Sequence, residues 1–89
     1  MPYIPQWARN GLDSDIKNLA DEIRGFSGAK KAGWCNYAIT KLLMEVYDVQ
    51  DYATYNEILG ILAAVTQELY RRKIAPYEDE AKMKNGDVF

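Results

Sequence analysis

The stretch from Thr54 to Asp79 leaves this chain few folds to choose from. Ile58, Ile61, Leu62, Val65 and Leu69 recur at helical spacing and form one apolar stripe. Leu59, Ala63, Thr66, Tyr70, Lys73 and Tyr77 form a second stripe beside it. Thr54-Tyr55-Asn56-Glu57 reads as a capping box, with Thr54 at the N-cap and Glu57 at the third helical position. Two adjacent stripes make an apolar arc wider than a three-helix monomer needs. Gly60 and Ala64, one turn apart, leave a shallow groove that admits a second helix closely. Glycine inside a helix costs up to ~1 kcal/mol relative to alanine, so a packing reason is expected there. This helix is therefore expected to pack against a partner subunit. Pro76 lacks an N–H and its ring opposes the carbonyl of Arg72, so a kink or restart is expected there. A short continuation through Lys84 would close at the turn signal Asn85-Gly86.

Upstream, residues 1–12 read as an extended arm. Pro2 and Pro5 disfavour a helix, and Tyr3 and Trp7 suggest that the arm docks, on its own domain or on a ligand or partner. A first helix is expected from Asp13, with Asp13 or Ser14 as N-cap and Ile16, Leu19, Ala20 and Ile23 as its buried stripe. Gly25 would end it as a left-handed cap. The segment 25–33, with Lys30 and Lys31 among glycines, reads as a solvated loop; the P-loop ending is missing. A second helix is expected from Trp34 to Tyr47, burying Cys35, Ile39, Leu42, Leu43 and Val46. Asn36, Thr40, Tyr37 and Lys41 lie on its neighbouring faces, as a polar patch or simply a solvated side. The acidic connection 48–53 lacks the ligands of a calcium loop.

The expected fold is thus all-α: a small bundle of three main helices with an extended N-terminal arm and a long C-terminal helix kinked near Pro76. All 89 residues belong to one domain, with 1–12 as arm, 13–84 as helical core and 85–89 as tail. A domain this small buries little apolar surface, and oligomerisation is a common remedy. The 48% apolar fraction is too high for disorder. A net charge of −2 argues against coating polymeric nucleic acid through bulk charge. No apolar run approaches a membrane span, no signal-peptide pattern opens the chain, and one cysteine fits a reducing cytoplasm. Histidine is absent, which removes Ser-His-Asp triads, Cys-His dyads and His-based zinc sites within one chain. A non-enzymatic protein without cofactor or metal is expected.

Chemistry concentrates in Tyr70 to Asp79. On a helix Arg71, Arg72 and Lys73 diverge by about 100° per residue and cannot all reach one ligand. Tyr70, Lys73 and Tyr77 share a face. Guanidinium groups hold phosphate bidentately and tyrosine rings stack on bases, a combination suited to a nucleotide. The same arginines also stand within reach of Glu68, Glu78 or Asp79, which would make them ordinary ion pairs.

The words Asn36-Tyr37-Ala38-Ile39-Thr40-Lys41-Leu42, Tyr70-Arg71-Arg72, Ala75-Pro76-Tyr77-Glu78-Asp79 and Asn85-Gly86-Asp87-Val88-Phe89, with the opening Met1-Pro2-Tyr3-Ile4, resemble a domain of unknown function common in phages. The chain also resembles the small phage-encoded sponge proteins that sequester the cyclic dinucleotide signals of bacterial CBASS immunity. That resemblance implies a helical homo-oligomer in the host cytoplasm that binds a signal such as cyclic GMP-AMP between subunits without cleaving it.

On this reading Tyr3 and Trp7, or Tyr70 and Tyr77, stack bases; Arg71, Arg72 and Lys73 hold phosphates; Asn36 or Thr40 reads base edges. A module that binds a host or phage protein through its apolar helix surface is the alternative. A metal-dependent nuclease or phosphodiesterase on Glu57, Glu68, Glu78 and Asp79 is a third option, but no spacing supports it.

Overall fold

The computed structural model of the chain describes residues 4–89, and Tyr3 lies outside them. The described residues are helical throughout, with short connections and no strand among them. The chain is all-α. It divides into two compact units, 4–49 and Gln50–Phe89.

In the first unit, Pro5 (φ −60°, ψ 152°) sets up a 3-10 turn over Gln6–Ala8, closed by the Ala8 N–H donating to the Pro5 carbonyl at 3.0 Å. Helix α1, Arg9–Ser27, follows at once. Residues 6–12 of the expected extended arm are thus helical, and Asp13 and Ser14 are helix-interior residues rather than N-caps. The 3-10 turn supplies the entry that a side-chain cap would otherwise provide, and Arg9 Nε ties back to the Ile4 carbonyl at 3.0 Å.

Gly25 does not end α1. The helix runs on to Ser27, and Gly28 takes the left-handed conformation (φ 54°) that a side chain would resist. The Lys30 N–H donates to the Ser27 carbonyl at 2.9 Å, and helix α2 begins directly, Lys31–Val46. The expected loop over 25–33 shrinks to residues 28–30. With Gly25 and Gly33 both helical, no glycine-rich cradle remains.

Helices α1 and α2 form a hairpin whose seam is narrow. Ala20 and Ile23 on α1, and Ala38 and Leu43 on α2, are half-buried. Cys35, Ile39, Leu42 and Val46 stay exposed, against the expected buried stripe. Two helices alone can each cover only one line of the other, so the rest of each apolar arc faces outward.

In the second unit the N-cap of helix α3, Tyr52–Leu69, is Asp51 and not Thr54. The Asp51 carboxylate accepts the Thr54 backbone N–H at 2.8 Å, which puts Thr54 at the third helical position and removes the expected capping box. Asp is the better cap of the two, and starting there adds a turn of backbone hydrogen bonds. The Tyr55 hydroxyl also donates to Gln50 Oε1 at 3.0 Å, across the helix start.

Along α3 only Ile58 is buried, at 7% exposure, while its neighbour Leu59 is 64% exposed. A π-helical turn, Tyr70–Ile74, follows, and then helix α4, Ala75–Asn85, ending on Gly86 at φ 87°. The Ala75 N–H reaches the Tyr70 carbonyl five residues back. Pro76 explains the wider turn. It cannot donate to Arg72, and its ring would meet that carbonyl in a regular helix, so one extra residue in the turn relieves the clash. Among the described residues no helix is long and apolar enough to cross a membrane.

Candidate functional site

The π turn gathers the cationic cluster. Arg71 Nη2 lies 2.9 and 3.1 Å from the two carboxylate oxygens of Glu68. Arg72 Nη1 stands 3.5 Å from Glu68 Oε1. Two guanidinium groups therefore converge on one carboxylate oxygen. Consecutive helical residues diverge in direction, but Glu68 sits one turn back, three and four positions away, where both long side chains can meet it. The arginine side chains are largely exposed and the Glu68 side chain is mostly covered. In water such pairs contribute about 0–1 kcal/mol each. Lys73 makes no ion pair or hydrogen bond among the described residues.

On the other side of the turn, the Tyr70 hydroxyl donates to Glu78 Oε2 at 2.9 Å. This bond spans the π segment from its first residue to the first turn of α4. The Tyr70 pKa is raised, first by the hydrogen bond to Glu78, then by the charge of Glu78, with smaller contributions from desolvation and the charge of Asp79. Tyr77 is 72% exposed, with its ring open to stacking. The cluster thus presents a paired guanidinium fork, a free lysine and an exposed tyrosine on one short segment.

The other sequence-predicted residues belong to the first unit. Trp7 lies in the 3-10 turn and is strongly exposed. Thr40 turns its hydroxyl back to the Asn36 carbonyl at 2.8 Å, so its donor is engaged within α2. Tyr3 is outside the described residues. Local geometry brings Arg71 and Arg72 together on Glu68, and separately ties Tyr70 to Glu78. The tie between Tyr70 and Glu78 was not foreseen, because an eight-residue separation carries no sequence signal unless the intervening turn is known to be π-helical. Among the described residues no three of Cys, Asp and Glu come together as metal ligands.

No curated protein and no solved structure matches this chain. One family model, described as a domain of unknown function (DUF6899), matches residues 1–88, and the chain belongs to that family.

Proposed function

We propose that the protein is a phage immune-evasion sponge, which binds a cyclic dinucleotide such as cyclic GMP-AMP in the host cytoplasm and holds it uncleaved. The observation that carries this reading is the convergence of Arg71 and Arg72 on a single carboxylate oxygen of Glu68. A fork that already holds one anionic oxygen has the reach to hold a phosphate in its place. Lys73 adds a mobile charge, and Tyr70 and Tyr77 offer faces for bases. Trp7, Asn36 and Thr40, with Tyr3, supply stacking and edge contacts from elsewhere in a homo-oligomer. In that assembly α3 is the shared core and the chain bends near Pro76.

Native mass spectrometry with a panel of cyclic di- and trinucleotides at fixed salt tests this. The expected result is a discrete oligomer that takes up a cyclic dinucleotide of unchanged mass. An oligomer that ignores every nucleotide would sink the reading. A second function, a module that inhibits a host or phage protein through its apolar surface, is favoured by one observation: Leu59, Val65 and Leu69 on α3 are exposed. That module would bind no nucleotide.

A further inference from the structure

In the last turn of α3 one carboxylate holds two guanidinium groups, and it holds each of them incompletely. Arg71 reaches Glu68 through a single nitrogen, Nη2, at 2.9 and 3.1 Å from the two carboxylate oxygens. Arg72 reaches it through Nη1 alone, 3.5 Å from Oε1. That is longer than the roughly 2.7–2.9 Å of a charge-assisted hydrogen bond. Neither arginine makes the two-nitrogen fork that is its strong mode with a carboxylate or a phosphate. The cause is register. Glu68 stands three positions before Arg71 and four before Arg72, so one short side chain serves two long ones that leave the helix about 100° apart. Each guanidinium carries five N–H donors, and among the described residues neither has a second carboxylate partner.

We infer that Glu68 is an internal competitor at this site: a phosphate reaches Arg71 and Arg72 only by taking them from its carboxylate, so Glu68 sets the affinity. This competition rests on the phosphate-holding role of the two arginines in the proposed function and applies to any phosphate ligand, whatever its bases. The exchange is feasible because both contacts are weak. A solvent-exposed ion pair shifts an equilibrium by no more than about fivefold. A cyclic dinucleotide carries two phosphodiester groups and can offer each guanidinium its own pair of oxygens, whereas Glu68 divides one pair between both. Ligands with a single weak anionic group lack that advantage and leave the arginines on Glu68.

Calorimetric titration with cyclic GMP-AMP, and separately with inorganic pyrophosphate, at one salt concentration tests this. Glu68→Gln keeps the shape and an acceptor oxygen while removing the charge, and Glu68→Ala removes the acceptor as well. Both probes should bind each variant about three- to thirtyfold more tightly than the unsubstituted protein. The gain should vanish when Arg71→Ala and Arg72→Ala are added. Glu80→Gln removes the same charge from a carboxylate that pairs with Lys84 instead, and should gain less than Glu68→Gln. An equal gain there would assign the effect to net charge and overturn the competition. Cyclic GMP-AMP binding that is unchanged or weakened in both Glu68 variants would also overturn it, while leaving the sponge standing. Tighter pyrophosphate binding with no uptake of cyclic GMP-AMP by any of these proteins would keep the competition and remove the nucleotide. Binding of neither probe by any of them would remove both. A further measurement needs no substitution: the carboxyl carbon resonance of Glu68 should shift when the unsubstituted protein is saturated with pyrophosphate. A resonance that stays in place under saturation would overturn the competition even if the Glu68 variants fold poorly.

Discussion

Leu59→Ala separates a chain that is finished by itself from one that is finished by its partner. In the single chain Leu59 is 64% exposed, whereas Ile58, one residue before it, is 7% exposed. Exposed substitutions of this kind ordinarily change stability by less than about 0.5 kcal/mol. If a second copy covers α3, the exposed fraction of Leu59 becomes buried. Full burial of leucine contributes about 1.5–3 kcal/mol, so roughly two thirds of that gives about 1–2 kcal/mol. Truncation should then lower the thermal midpoint by about 4–16 °C for a chain of this size. Ile58→Ala is the internal reference, with an expected loss of about 2–5 kcal/mol. The assay is thermal unfolding followed by circular dichroism at two protein concentrations roughly a hundredfold apart, since assembly makes the midpoint concentration-dependent. The reasoning is refuted if Leu59→Ala leaves the midpoint in place and the unsubstituted protein unfolds at one temperature at both concentrations.

Three further outcomes follow from the same geometry. Arg71→Ala combined with Arg72→Ala should weaken cyclic dinucleotide binding at least tenfold, as losing two charge-assisted contacts implies about 1.4 kcal/mol or more; native mass spectrometry should find the oligomer unchanged. The Thr54 backbone N–H holds the Asp51 carboxyl below its usual range. Its stabilisation of α3 is therefore present above the ordinary carboxylate pKa and lost as pH falls through the lowered value. An acid titration of helix content should show that loss at the acid end, and Asp51→Asn, which still caps, should remove the pH dependence assigned to this group. Tyr70 has the opposite sense: its pKa is raised by Glu78, so its contribution is present below the ordinary tyrosine range and lost as pH rises through the raised value. The ultraviolet titration component removed by Tyr70→Phe should move to lower pH in Glu78→Gln, and an unmoved component would break the assigned hydrogen bond.

The helical period of α3 was legible because it depends only on spacing: Ile58, Ile61, Leu62, Val65 and Leu69 mark one stripe whatever lies around them. Boundaries were less legible where two signals compete within one turn. Gly25 and Gly28 can both cap, and the later one does; Asp51 and Thr54 can both start α3, and the earlier one does. In each case the longer helix gains additional backbone hydrogen bonds, a comparison that composition near a single residue does not contain. Burial was misjudged at Cys35, Ile39, Leu42 and Val46, since periodicity identifies an apolar face without saying whether another surface covers it.

The sequence by itself determined an all-helical chain, an irregular helical turn next to Pro76, and the placing of three cations beside tyrosines at that turn. These follow from dihedral limits, missing donors and a 3.6-residue repeat, all local properties. Only the tertiary structure decided that Arg71 and Arg72 meet on Glu68, that Tyr70 reaches Glu78 across a π turn, and that Ile58 alone among the large apolar residues of α3 is enclosed. Those outcomes depend on the path of the backbone between side chains and on which surfaces touch, and neither is encoded at any one position.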